Sequence, residues 1–407
     1  MGCARNCWLG NPSAHPEALA DQTAAWLADY FTPTLHPVIN ATGVIIHTNL
    51  GRAPLSGAAQ AAITAVGGHY NTLEYDLASG QRGSRTVHAE QVLRRVAGAE
   101  AAVVVNNNAA AMLLMLSGLC AGQEVLISRG QLVEIGGGFR IPDILRQSGA
   151  KLVEVGTTNR THLRDYAQAI GPNTAAILVV HASNYQIIGF TSAPEMSELA
   201  ELTRKHGLYL LYDQGSGALL DTAAYGLAHE PTVQEGLQVG ADVVAFSGDK
   251  LVGGPQTGIL VGRSDLIHTL KQHPLARAVR ADKLALASLS ATLEHYLKGE
   301  AEREIPIWRM MARPLADIRA TAEAWAGHFT AAGLPATTRP DVSTVGGGSL
   351  PGTSLPSHVV AIPTSHPNQL AARLRQATPP IIGRIQSDHL LLDPRTVLLG
   401  QEGAGVG

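Results

Sequence analysis

From Ala101 onward, apolar runs rich in β-branched residues alternate with longer stretches whose apolar positions recur at helical spacing. The runs are 101–105, 124–128, 151–155, 175–181, 208–213 and 242–247. A strand that is apolar throughout is buried on both faces, and helical crossovers between such strands make them parallel, so the pattern predicts a mostly parallel sheet covered by helices. One predicted helix start can be read in detail: Ser192 and Glu195 have capping-box spacing, with Pro194 inside the first turn before the run 196–206. Upstream, 16–31 reads as one amphipathic helix that Pro33 and Pro37 bring to an end. A long helix over 284–297 closes the sheet unit, and the chain then changes character. It continues with a helix near 315–332, a Gly/Pro/Ser-rich loop over 345–357, a strand-helix-strand pattern at 359–362, 369–376 and 381–385, and a short strand at 390–392. The expected organisation is a helical arm at 1–37, a large sheet domain at 38–297 and a small α+β domain at 298–407.

Composition narrows the class. A chain of 407 residues, 45% of them hydrophobic, can bury a large core, and 15% charged residues with a net charge of -3 exclude both disorder and a uniformly basic nucleic-acid binder. Any contact with nucleic acid must therefore be local. Cys3 and Cys7 have no neighbouring His, and Cys120 lies in an apolar run, so neither a disulfide framework nor zinc spacing is present and no metal site is expected. The apolar stretch 109–122 is too short to span a bilayer, and no basic region precedes an apolar one at the N-terminus. A cytoplasmic protein without membrane or export segments is expected, with a glycine-rich tail at 401–407 that frays.

Ligands of such sheets gather beyond the carboxyl ends of the strands, which gives weight to Asn106, Ser128, Thr157, His181, Asp213 and Ser247. Lys250 follows an apolar run within Phe246-Ser-Gly-Asp-Lys-Leu-Val-Gly-Gly-Pro-Gln256, a glycine-rich turn that lets a ligand approach closely. Most single lysines in turns are merely solvated, but this context favours a Schiff-base lysine. Asp213, one strand-helix-strand unit earlier, places a carboxylate where it can hold a pyridine nitrogen protonated and make the ring an electron sink. Asn106, Asn107 and Asn108 open an apolar helix whose free N–H groups suit a phosphate, and Ser247 offers a further donor. Any helix needs a cap, so the asparagines alone prove little; the three segments together point to pyridoxal 5'-phosphate. Asn184, in the segment after His181, is placed to touch the cofactor's phenolic oxygen or ring face, while the role of His181 stays open. Arg52, Arg82, Arg85, Arg277 and Arg280 suit an anionic substrate, although surface solvation or subunit salt bridges explain most arginines. The glycine runs at 136–138 and 346–348 carry weaker signals.

From Val38-Ile-Asn-Ala-Thr-Gly to Ile382-Gly-Arg-Ile the chain resembles the bacterial selenocysteine synthase family, L-seryl-tRNA(Sec) selenium transferase. HTNLGRA at 47–53, LEYDL at 73–77, NNNAAA at 106–111, SRGQLVEIGG at 128–137, EVGTTNRTH at 154–162, HASNYQIIGF, DQGSG, FSGDKLVGGPQ and HPLARAVRADK occur in the family's order. The resemblance implies a pyridoxal-phosphate transferase of fold type I, aspartate-aminotransferase-like, acting as a ring-shaped homo-oligomer with active sites shared between subunits. It implies conversion of seryl-tRNA(Sec) to selenocysteyl-tRNA(Sec) with selenophosphate as selenium donor. Carried over by motif, Lys250 binds the cofactor covalently and Asp213 faces its pyridine nitrogen. Arg52, Arg277 and Arg280 hold selenophosphate, and Thr157 and Thr158 line the site. In the implied β-replacement Lys250 removes the Cα proton, the β-hydroxyl leaves, selenium adds to the β-carbon and the phosphoryl group passes to water. The family carries a larger N-terminal region that grips the tRNA, whereas here the Val38 motif follows only residues 1–37, and 1–10 and the glycine-rich end differ from the family. Two other readings compete: a related pyridoxal-phosphate lyase acting on a small amino acid, phosphorylated or not, without tRNA, and a noncatalytic partner of a full-length enzyme.

Overall fold

A computed structural model describes residues 16–136 and 138–403. The expectations for residues 1–10, for Cys3 and Cys7, for Gly137 of the first glycine run and for the end of the tail lie outside the described residues.

Seven strands form the main sheet: β1 Ala101–Val105, β2 Glu124–Ser128, β3 Lys151–Val155, β4 Thr174–Val180, β5 Tyr209–Gly215, β6 Val243–Ser247 and β7 Gly258–Gly262. Their order is β3-β2-β4-β5-β6-β7-β1, with β7 antiparallel to both neighbours and every other pairing parallel. The six strands read from the sequence are present, their ends shifted by a residue or two. The seventh, β7, was not anticipated. It returns from β6 through the short 248–257 connection with no helix between them, and a return that short can only be antiparallel.

Successive side chains on each strand point to opposite faces. Leu178 and Val180, Leu211, Val243 and Ala245 meet Met112, Leu116 and their neighbours on helix α3 (Asn108–Cys120), while Ile177, Val179, Leu210, Tyr212, Val244 and Phe246 meet helices α2 (Val87–Ala97) and α4 (Lys283–Leu297) on the other face. Register then sets the site. Asp213 of β5 pairs with Val180 of β4 and Ala245 of β6, so the carboxyl ends of the three central strands lie level, and whatever follows them shares one rim.

At that rim glycines permit contacts no side chain would. A Cβ on Gly258 at the start of β7 would overlap the carbonyl oxygen of Asn107. Gly258→Ala is therefore expected to destabilise the fold by about 1–3 kcal/mol, the usual cost of overpacking. Urea unfolding would measure it, and wild-type stability would refute the close approach.

The capping expectation needs correction. The helix Met196–His206 takes Glu195 as its N-cap, with Glu198 returning a hydrogen bond to the Glu195 N–H at 2.9 Å. Ser192 is instead held in an isolated bridge with Arg160. The box thus begins three residues later than the Ser192–Glu195 spacing suggests, because Ser192 is already held in extended backbone.

The second unit is a four-stranded antiparallel sheet, β8 Thr337–Ser343, β9 Leu355–Pro363, β10 Arg384–Gln386 and β11 His389–Leu392, in the order β8-β9-β11-β10. Helix α5 (Leu315–Ala331) packs on it through Ala322, Trp325 and Ala326, and helix α6 (Pro367–Arg375) through Ala371. β8, TTRPDVS, escapes a reading by hydrophobic pattern because it lies at the sheet edge, where polar residues and a proline are tolerated. Ile39 and Asn40 pair in parallel with Ile381 and Ile382, fastening the chain ahead of the large sheet to this smaller unit.

Helix α1 (Pro16–Tyr30) forms where expected, and Leu19, Trp26, Leu27 and Tyr30 are exposed. Among the described residues no helix is long and apolar enough to cross a membrane.

Candidate active site

Lys250 sits in a turn held rigid by backbone hydrogen bonds. Gly248 N–H donates to Thr257 C=O at 2.8 Å, Gly253 N–H to Lys250 C=O at 2.9 Å, and Leu251 N–H to Ser216 C=O beyond β5 at 2.9 Å. The lysine is only 6% exposed. Burial pushes its ammonium below the ordinary lysine range, with Asp213 pulling the other way. The glycine run at 346–348, a weak signal in the sequence, reaches over from the second unit: a Cβ on Gly348 would stand 3.2 Å from Lys250 Nζ. All three of these glycines have positive φ, from 59° to 78°, backbone that favours glycine.

Asp213, 3% exposed, accepts a hydrogen bond from Asn108 Nδ2 at 2.9 Å. Burial pushes its carboxyl up, against the Asn108 hydrogen bond and the Lys250 charge. The three asparagines divide their tasks. Asn106 N–H donates to Val279 C=O at 2.8 Å; Asn107 caps α3, its Oδ1 accepting from Ala110 N–H at 2.9 Å; Asn108 reaches Asp213. Ser247 is buried at the end of β6.

These groups fit pyridoxal phosphate. A dry primary amine, a buried carboxylate, a 13-residue helix offering its N-terminus and a buried Asn108 Oδ1 without a hydrogen-bond partner meet at one rim. The amine suits the aldehyde, the carboxylate the ring nitrogen, and the helix end the phosphate.

Arg52 joins this cluster. Its Nη1 donates to Asp249 Oδ2 at 2.7 Å, and Ala53 N–H donates to Asp249 C=O at 3.2 Å, so the 47–53 motif docks on the residue beside the lysine. Arg52 itself has φ of 63°, a left-handed conformation that costs a non-glycine residue energy and aims its side chain. Arg280 forms an isolated bridge with Val105, next to the asparagine turn, and lies near Glu74; Arg277 is exposed. Thr157 and Thr158 are exposed in a turn where Thr157 Oγ1 donates to Arg160 C=O at 2.8 Å.

Asn184 lies in the loop after His181. Its side chain is exposed and donates to Glu134 C=O at 3.3 Å, whereas the buried neighbour Ser183 lies beside Gly348 and Gly215. The chain turns after His181, so residue spacing along the loop does not decide which side chain faces inward. His181 Nε2 is 3.0 Å from Oε1 of Glu230, a carboxylate 2% exposed. Asp249, Glu74, Ser183 and Glu230 were not singled out from the sequence, and Gly348 only as the end of a weak glycine triplet. Asp249 adjoins the lysine, and Glu74 and Ser183 lie within the LEYDL and HASNYQIIGF motifs, so signals existed for those three; nothing local marks Glu230.

A cavity of about 640 Å³ lies alongside, lined by Ser128, Thr158, His181, Tyr185 and Tyr212 among others. Lys250 and Asp213 do not line it. Tyr212 and Asp213 are consecutive on β5 and point to opposite faces, so Tyr212 borders this volume and Asp213 does not.

A family model described as L-seryl-tRNA selenium transferase matches residues 38–398. The L-seryl-tRNA(Sec) selenium transferase of Hyphomonas neptunium is 52% identical over 372 residues, covering 90% of this chain and 80% of that protein. The enzyme of the same name from Moorella thermoacetica is 52% identical over 378 residues with the same coverage. Among solved structures, D-glucosaminate-6-phosphate ammonia-lyase superposes with a TM-score of 0.65 at 21% identity, covering 92% of this chain and 97% of that one. The fold is that of fold-type-I pyridoxal-phosphate enzymes.

Proposed function

Because the chain belongs to the L-seryl-tRNA selenium transferase family, we propose that it converts seryl-tRNA(Sec) to selenocysteyl-tRNA(Sec), replacing the serine β-hydroxyl with selenium. The observation that carries this reading is the meeting of Lys250, Asp213 and Asn108 at one rim, within a chain that matches the family over 38–398. Pyridoxal phosphate, when bound, supplies a carbonyl for the amine and a ring that withdraws electrons from Cα.

The protein's own groups do the rest. Lys250 Nζ is the base that takes the Cα proton and returns it after substitution; burial, by lowering its affinity for a proton, keeps more of it neutral. Asp213 holds the proton on the ring nitrogen, and Asn108 orients its carboxylate. The α3 N-terminus with Asn106 and Asn107, and Ser247 across the rim, receive the phosphate. Arg52, Arg277 and Arg280 bind the anionic selenium donor, for which selenophosphate is the natural chemistry, and Thr157 and Thr158 border the approach. We assign the protein to the cytoplasm and to a ring-shaped homo-oligomer with shared sites; exposed Tyr70, Leu77, Ile188 and Phe190 support association. The 52% identical relatives weigh against the small-amino-acid lyase, and the likeness to an ammonia-lyase speaks to fold alone.

The test is conversion of seryl-tRNA(Sec) by cofactor-loaded protein with selenophosphate, beside seryl-tRNA(Ser). Selenocysteyl-tRNA from the first substrate only is expected. Elimination from free small amino acids at a comparable rate, with no selenocysteyl-tRNA formed, would overturn the reading.

A further inference from the structure

Glu74 gathers three guanidinium groups on one carboxylate. Arg85 grips Oε1 with Nε at 2.8 Å and Nη2 at 2.6 Å, and Arg82 Nη2 donates to Oε2 at 3.0 Å. Arg280 stands apart: its Nη1 is 3.7 Å from Oε1, beyond hydrogen-bond length. The side chain of Arg85 is 18% exposed and that of Arg280 39%, which separates an anchored arginine from an available one.

The same residues hold three pieces of chain together. Arg85 Nη1 donates to Ala281 C=O at 3.1 Å, directly after Arg280. Val105 bridges Arg280, and Asn106 N–H donates to Val279 C=O. The Glu74 segment, the 279–281 segment and the asparagine turn therefore form one frame. One carboxylate facing three guanidiniums leaves a local excess of positive charge. Arg82, its side chain 76% exposed, spends one N–H on Glu74. Arg280, which adjoins the asparagine turn, is the member whose side chain makes no hydrogen bond and so keeps all its N–H groups for an anion.

Resting on the reading of Arg280 as a ligand of the selenium donor, we propose that Glu74 and Arg85 are a positioning pair that presents Arg280 to that donor. Glu74 attracts the Arg280 guanidinium without saturating it. Arg85, through Ala281 C=O, fixes the backbone beside it. Neither residue touches the donor.

Steady-state kinetics of the cofactor-loaded enzyme decide the matter, varying selenophosphate at saturating seryl-tRNA(Sec) and then the reverse, for wild type, Glu74→Gln, Arg85→Lys and Arg280→Ala. Glu74→Gln and Arg85→Lys are expected to raise KM for selenophosphate about tenfold, with KM for seryl-tRNA(Sec) and the absorbance of bound cofactor unchanged. Arg280→Ala is expected to raise it at least as much. If Arg280→Ala raises the donor KM and the other two do not, the positioning pair is wrong and the reading of Arg280 stands. If Arg280→Ala also leaves it unchanged, the assignment of Arg280 to the donor falls first. An equal rise in both KM values, as general structural damage would give, also overturns the proposal. Should Glu74→Gln not fold, Arg85→Lys decides, because it keeps the charge and removes only the forked geometry.

Discussion

Lys250→Ala is expected to lower turnover of seryl-tRNA(Sec) by about 10³- to 10⁴-fold while leaving the chain folded. The lysine lies in a turn whose geometry is set by backbone bonds from Gly248, Leu251 and Gly253, not by its own side chain, so truncation leaves the scaffold in place. What disappears is the buried amine, the one group at this rim able both to join the cofactor carbonyl and to carry the Cα proton. Its loss also strips Asp213 of a neighbouring cation, and a buried carboxylate without one holds its proton more tightly. Lys250→Arg separates the two effects: it restores positive charge but not a nucleophile, so activity should stay as low as in the alanine variant. Single-turnover assays with the absorbance of bound cofactor would show this, and turnover near wild type in either variant would remove Lys250 from the chemistry.

Asp213→Asn should reduce kcat by about 100-fold or more with little change in KM for seryl-tRNA(Sec). The amide matches the carboxylate in shape and can still meet Asn108, so packing at the end of β5 is kept. Only the negative charge is lost. Without it the ring nitrogen releases its proton and the electron sink weakens, an effect on the transition state more than on binding. Rates measured at saturating substrate, with cofactor affinity measured separately, would test this. A variant that kept its kcat would show that the carboxylate serves folding alone.

Much of this was legible in the chain because the relevant signals are local. An apolar β-branched run, a polar residue at its end and a glycine turn after it place Lys250, Asp213 and the asparagines within a few residues of their strands, and a parallel sheet brings strand ends to one rim whatever the strand order. The two strands that escaped, β7 and β8, each lack that signature. β7 is flanked by glycines and joined to β6 without a helix, and β8 is a polar edge strand with Pro340 in its middle.

The sequence by itself therefore determined the sheet class and the family, and it put Lys250 and Asp213 at strand ends. Tertiary structure alone decided which charges meet: Arg52 with Asp249, 197 positions apart, and Arg85 with the carbonyl of Ala281, 196 apart. It also turned Asn184 outward, set Ser183 inward and laid Gly348 against Lys250. Hydrophobic periodicity reports which face of an element is buried, a property of neighbouring residues. A salt bridge or a close backbone approach depends on where two distant segments cross, and that is fixed only when the whole core has packed.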